Sequence, residues 1–179
     1  MSDETASKEQ GSEATAQINP AELKIALERL RSEQNLPFGL AAGIVAAAFG
    51  AAIWAAVTVA TGYQIGWMAV GIGFAVGLAM RTAGKGIDKI FGIVGGTLAL
   101  FGCAAGNLLA VCALIAKHEN MAFTEVISRL DVGVIERLME ATFNPMDLLF
   151  YGIAIYEGYK LSFRQVTQRE LRSLPAAGQ

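Results

Sequence analysis

Residues 38–61 read FGLAAGIVAAAFGAAIWAAVTVAT, a stretch without a single charged side chain. A helix of about 20 apolar residues is long enough to cross the hydrocarbon core of a bilayer. In lipid the backbone polar groups must bond to one another, and a helix satisfies them within one segment. This stretch therefore predicts a membrane-spanning helix, and with it an integral membrane protein of the all-α class.

Two further apolar runs follow. After a tight polar turn, TGYQ at 61–64, the run IGWMAVGIGFAVGLAM predicts a second span over residues 63–80. A short basic loop, 81–89, leads to a third span over residues 90–116, which is long enough to tilt in the bilayer. The first two spans would form a helical hairpin.

A fourth span is predicted over residues 145–163. Asn144-Pro145 is a helix start signal, and Asp147 follows in the first turn. The charge-free run from Leu148 to Tyr156 is too short on its own, but Asp147 and Lys160 can extend their charged groups from its two ends. The alternative is a helix that lies at the membrane interface.

The segments around the spans are polar. We expect a disordered acidic tail at 1–18, and then an amphipathic juxtamembrane helix at 19–36 that starts with Asn19-Pro20. Residues 117–144 have helical periodicity and predict two short amphipathic helices on the outer membrane surface. Residues 165–179 form a polar tail. The architecture is thus a four-span helical transmembrane bundle, residues 38–164.

The distribution of Lys and Arg supports four spans with both termini inside. Eleven of the 14 then lie on the cytoplasmic side, as the positive-inside rule requires. The three on the other side are Lys117, Arg129 and Arg137. The net charge of −2 excludes a general nucleic-acid binder. We therefore expect a multipass protein of the cell inner membrane whose N- and C-termini are cytoplasmic.

Chemically reactive residues are few. Cys103 and Cys112 are nine positions apart, which places them on nearly opposite faces of one helix and argues against a disulfide. The only histidine, His118, lacks neighbouring ligand residues, so no metal site is predicted. Because no catalytic set can be assembled either, the sequence predicts neither an enzyme nor a cofactor.

Small residues recur at the GxxxG spacing, which aligns them on one helix face and lets backbones approach closely. Packing between helices of the same chain is the favoured interpretation, and contact between copies is the alternative. The four pairs are Gly39/Gly43, Gly73/Gly77, Gly92/Gly96 and Gly102/Gly106.

Two polar residues fall inside predicted spans. Asn107 lies in the third span, where an amide needs a hydrogen-bonding partner on another helix, or else a substrate or ion. Glu157 lies one turn from Lys160, and the pattern favours an ion pair between them or simple solvation. A proton or cation role for Glu157 is the alternative, since intramembrane acids are functional candidates.

Residues 61–86, TGYQIGWMAVGIGFAVGLAMRTAGKG, contain a TG-x-x-IG-x-x-A-x-x-IG-x-x-VG pattern. This segment resembles one found in small, uncharacterised bacterial multipass inner-membrane proteins. The resemblance covers the second half of the first hairpin and the following loop. It implies a bacterial inner-membrane location and no particular activity.

The sequence leads to two functional hypotheses. The favoured one is a non-enzymatic membrane scaffold or accessory subunit. The expected partners of the chain are the lipid bilayer and either further copies of itself or another membrane protein. The alternative is a small oligomeric transporter or channel that uses Asn107 and Glu157. A faint likeness between spans one and three, which both begin with Phe-Gly, motivates this alternative because transporter folds often contain internal repeats.

Overall fold

The structure is a computed structural model that describes residues 20–164. Within that range the chain has no strand and is almost entirely helical. The predicted tails, 1–18 and 165–179, and the proposed cap Asn19 lie outside the described residues. Its helices are α1 (Pro20–Ser32), α2 (Leu36–Thr61), α3 (Trp67–Gly84), α4 (Lys89–His118), α5 (Phe123–Ser128), α6 (Val132–Thr142) and α7 (Pro145–Leu161).

The all-α class predicted from the sequence is confirmed. Three helices, α2, α3 and α4, are long and apolar enough to cross a membrane, and each corresponds to one of the first three predicted spans. Residues 34–164 form one compact unit, whereas α1 belongs to a separate unit.

The boundary between α1 and α2 differs from the prediction. The predicted juxtamembrane helix continues to residue 36, but α1 ends at Ser32, whose hydroxyl donates to the carbonyl of Arg29 at 2.7 Å. Asn35 caps the next helix, because its side-chain oxygen accepts from the backbone N–H of Phe38 at 2.9 Å. Pro37 lies in the first turn of α2, where its missing N–H costs no helical hydrogen bond.

The helix of the second span is also displaced from its predicted limits, 63–80. Gly62 closes α2 in the left-handed conformation, φ 75°, and α3 begins only at Trp67. At the other end α3 runs through Arg81, which was predicted to lie in a loop, as far as Gly84. There Lys85 turns left-handed, φ 48°, and the carbonyl of Gly84 accepts from the N–H of Asn35 at 3.0 Å. Backbone caps, not the limits of hydropathy, set these ends.

Helices α2, α3 and α4 run up, down and up. A Cβ on Gly50 would lie 2.8 Å from Ile72, and one on Gly39 would lie 3.0 Å from Gly84, so α2 and α3 are antiparallel. A Cβ on Gly43 would lie 2.7 Å from Leu98, and one on Gly106 would lie 2.9 Å from Trp54. Helices α2 and α4 are therefore parallel, as they must be if all three helices cross the membrane.

Helix α7 packs along α3 and α4. At one end of α3 the ring of Phe150 covers Gly66, and towards the other end a Cβ on Gly77 would lie 2.7 Å from the Cβ of Leu161. Against α4, a Cβ on Gly158 would lie 2.7 Å from the carbonyl oxygen of Gly95. The N–H of Arg164 donates to the carbonyl of Gly86 at 2.7 Å. Helix α7 is thus parallel to α3, antiparallel to α4 and nearly as long as α3.

The two short helices contact the second half of α4. Val126 of α5 is buried in a cluster with Cys112 and Ala116. In α6 the capping residue Asp131 accepts from the N–H of Val134 at 2.8 Å, and Met139 approaches α4. The predicted pair of short helices in 117–144 therefore exists, and its position at a membrane surface stays a prediction.

The contact between α3 and α7 leads to a test of the packing. A Cβ on Gly73 would lie 2.7 Å from the Cα of Ala154, whereas nothing lies within 4 Å of one on Gly71. Gly73→Ala should lower the free energy of unfolding by about 2 kcal/mol, because over-packing forces backbones apart. The matched control Gly71→Ala should be neutral or slightly stabilising, since Ala is the better helix former. Unfolding of both variants in mixed dodecyl sulfate micelles measures the difference, and equal stabilities would contradict this packing.

Candidate functional site

Asn107 is deeply buried in α4, with 2% of its surface exposed. Its side-chain oxygen accepts a hydrogen bond from the Nε2 of Gln64, which lies in the turn between α2 and α3. Its Nδ2 points at the sulfur of Met139 at 4.0 Å. The amide that the sequence singled out therefore has an amide partner, which comes from a turn and not from another helix.

Two more polar groups are buried on the neighbouring helix. Thr58 and Trp54 of α2 are 0% and 2% exposed, and neither the Thr58 hydroxyl nor the Trp54 indole N–H has a hydrogen-bonding partner. They are one helical turn apart, and the Trp54 ring contacts Gly106. Gly106 and Asn107 are adjacent residues of α4, and both are buried. We call Trp54, Thr58, Gln64 and Asn107 the polar layer.

A lysine of α4 donates a hydrogen bond to a backbone carbonyl in the last turn of α2. The Nζ of Lys117, in the last turn of α4, donates to the backbone carbonyl of Val59 at 2.8 Å. The last carbonyls of a helix lack partners within the helix, and a cation is favourable beside them. This bond ties the ends of the two parallel helices together.

Glu157 lies elsewhere, on α7. Its Oε2 is shielded from solvent and has no hydrogen-bonding partner. The Nζ of Lys160 lies over the ring of Tyr156, 5.3 Å from its centroid, so the predicted Glu157–Lys160 pair is not formed. Tyr156 and Lys160 are four residues apart and share a face, whereas Glu157 lies on the face that also carries Ala154 and Leu161, which pack against α3.

All four predicted glycine pairs lie at contacts within the chain. Gly39 and Gly43 face α3 and α4, Gly102 faces α3 and α2, and Gly106 faces α2. Gly73 and Gly77 face α7 from one side, and Gly92 and Gly96 face it from the other. These contacts fit the favoured interpretation, packing between helices of one chain.

The remaining reactive side chains do not converge. Cys103 and Cys112 are buried free thiols; the first packs on the carbonyl of Ala69 and the second lies in the cluster with α5. His118 is exposed at the end of α4. Among residues 20–164 no group of three or more His, Cys, Asp or Glu side chains is placed to hold a metal ion.

Sequence reasoning identified Asn107 but not its partner. The sequence predicts Gln64 in the TGYQ turn at the start of the second span and assigns it no partner, although a buried amide must find a donor or an acceptor. One feature of the sequence could have indicated the partner: Gln64 carries the side-chain amide in the turn that joins α2 to α3.

Comparisons with protein-family models, curated proteins and solved structures found no match for this chain. Three of the described helices are long and apolar enough to cross a bilayer, and they pack through glycines; both are features of α-helical membrane proteins.

The Gln64–Asn107 contact can be measured as a coupling energy. We expect Asn107→Leu and Gln64→Leu each to destabilise the protein, because each leaves the other amide buried without a partner. The double variant should be more stable than the sum of the two effects predicts, by about 1 kcal/mol for a hydrogen bond between membrane-embedded side chains. A double-mutant cycle of unfolding free energies tests this.

Thr97→Val is a control for that cycle. Its hydroxyl bonds only within its own helix, to the carbonyl of Ile93 at 2.8 Å. It should show no coupling with Gln64→Leu. Strict additivity of the Asn107 and Gln64 effects would contradict the assigned contact.

Proposed function

We propose that α7 is a fourth membrane span. Its support is the contact with α3, which extends from Gly66 beside Phe150 to Gly86 beside Arg164. The two helices are parallel and have 17 and 18 residues, so α7 has the length to cross wherever α3 does. An interfacial helix would lie across the bundle and not along it.

Four spans would put the loop between α3 and α4, residues 85–88, on the same side as the segment after α7, and α5 and α6 on the other side. By the positive-inside rule the first side is cytoplasmic, with both termini, in the inner membrane of a bacterial cell. The resemblance of residues 61–86 to bacterial inner-membrane proteins points the same way.

Cysteine accessibility in whole cells tests this topology. In a Cys103→Ala/Cys112→Ala background we expect Ser128→Cys to react with a membrane-impermeant maleimide from outside. Lys85→Cys and Ser173→Cys, the latter beyond the described residues, should react only after the cells are opened. Labelling of Ser173→Cys from outside, with the other two as expected, would leave three spans and place α7 at the interface.

For the function itself we propose a non-enzymatic membrane scaffold or accessory subunit. The observation that carries this proposal is the backbone-level packing at Gly73 and Gly158, which leaves little room inside the bundle for a substrate. The polar layer supports it, because the Asn107 oxygen is already bonded to Gln64. Helix α2 in turn presents Phe38, Val45 and Phe49, each more than 60% exposed, as an apolar face for lipid or another subunit.

Native mass spectrometry of gently extracted, tagged protein tests the scaffold proposal. We expect a foreign membrane subunit in stoichiometric amount. Replacement of Phe49 and Val45 by Ala should weaken its retention, whereas Phe74→Ala, an exposed residue on α3, should not. A defined homo-oligomer without a foreign subunit would contradict the proposal and favour the alternative.

That alternative, a small oligomeric transporter or channel, is favoured by one observation, the shielded and unpaired Oε2 of Glu157. A carboxyl in such a place can bind and release a proton or cation. In proteoliposomes Glu157→Gln should then abolish flux, while Glu140→Gln, on the exposed surface of α6, should not. Equal flux for Glu157→Gln and the unaltered protein would remove Glu157 from any pathway.

A further inference from the structure

A groove of about 420 Å³ opens between α4 and α7. Its floor is formed by Gly92, Gly96 and Gly152, and Leu100, Tyr156 and Tyr159 are among the side chains along it. Tyr156 is 58% exposed, so the groove opens away from the bundle. If α7 spans the membrane, as proposed above, the groove faces acyl chains and not water.

Two lysines stand at the same end of this groove. Lys89 is three residues before Gly92 on α4, and Lys160 is four residues after Tyr156 on α7, so each continues the helix face that lines the groove. Because α4 and α7 are antiparallel, both positions lie towards the loop between α3 and α4. Both lysines are exposed, and Lys160 is held over the Tyr156 ring.

Among the described residues neither lysine forms an ion pair with an acid. Asp88, beside Lys89, accepts a hydrogen bond from the Nε2 of Gln34 at 2.8 Å. Glu157, beside Tyr156, lies on the face turned to α3. The apolar groove therefore ends in a cationic mouth at the side proposed to be cytoplasmic.

The groove and the lysine beyond it together match one leaflet. The lining residues of α4 run from Gly92 to Leu100, a rise of about 12 Å, and Lys89 lies one turn further, about 16 Å from Leu100 along the axis. The hydrocarbon core of a bilayer is about 30 Å thick, so one leaflet contributes roughly half of it. An acyl chain lying in the groove would extend to the middle of the bilayer while its headgroup lay beside the lysines.

We propose that this groove binds an anionic phospholipid of the inner leaflet. One acyl chain lies on the three glycines, and the phosphate pairs with Lys89 and Lys160. The inference rests on the proposed fourth span, since a groove exposed to water would not hold a lipid. Basic pockets between spans on the cytoplasmic side are the kind of site that anionic headgroups occupy.

The test counts phosphatidylglycerol and phosphatidylcholine of equal chain length bound to the full chain in detergent, by native mass spectrometry. We expect phosphatidylglycerol to be retained preferentially. Lys89→Gln/Lys160→Gln should weaken its binding about 25-fold, since each lysine near an anionic surface contributes about a factor of five. Arg129→Gln/Arg137→Gln, the same charge change on α5 and α6, should have no effect.

Two glycine substitutions, one inside the groove and one outside it, test the apolar part of the site. Nothing lies within 4 Å of a Cβ on Gly152 or on Gly71, so both tolerate a side chain, but only Gly152 lines the groove. Gly152→Leu should lower retention of both lipids at least fivefold, and Gly71→Leu should not. Equal retention by these two variants would overturn the proposal, as would a change in copy number on Gly152→Leu, which would make the occupant a second copy.

The fourth span and the lipid site can be tested independently of each other. Maleimide labelling reports whether α7 spans the membrane without reference to any lipid. Four spans combined with lipid binding that is insensitive to Gly152→Leu and to the lysine variants would overturn the lipid site alone.

Discussion

The approach of α7 to glycines on both of its neighbours is the constraint on which the bundle depends. The backbone of Ala154 in α7 packs against Gly73 of α3, and Gly158 of α7 packs against Gly95 of α4. In lipid there is no hydrophobic gain from joining two apolar helices, so close packing and its dispersion energy must hold them together. A Cβ at either place would separate the backbones. The glycines are therefore required by this geometry and are not a by-product of an apolar composition.

The role of α4 follows from the same constraint. Its first half packs against α7 through Gly92, Gly95 and Gly96, and its second half carries Asn107 and the contacts with α5 and α6. Helix α2 lies beside both halves, from Leu98 near Gly43 to Lys117 near Val59. The long helix is thus the common element between the glycine-packed part of the unit and the part that contains the polar layer.

Hydropathy and small-residue spacing predicted much of this fold. The charge-free run around Trp54 identified α2, and the glycine spacing identified faces that do lie at helix contacts. Neither signal predicts which helices pack against each other, because the pairing depends on the fit between helix surfaces that are far apart in the sequence. Helix ends were also missed: hydropathy describes depth in the lipid, whereas the ends of α3 depend on the left-handed Lys85 and on the bond from Asn35 to Gly84.

For the candidate sites, too, the sequence identified the polar residues but not their partners. The polarity of Asn107 was visible in its apolar surroundings, but its partner Gln64 is 43 residues away and meets it only after the hairpin has folded. For Glu157, sequence spacing favoured Lys160 as a partner. In the folded chain Lys160 lies instead over the ring of Tyr156, four residues earlier on the same helix.

The position of α7 in the chain has a consequence for biogenesis. Gly73 receives its neighbour from Ala154, which the ribosome adds 81 residues later. At 5–20 residues per second this delay lasts roughly 4 to 16 s. During that time α2, α3 and α4 can insert, yet the glycine faces of α3 and α4 are still uncovered in the membrane. An insertase that retains the early helices until the last one arrives would protect these faces from pairing with the wrong chain.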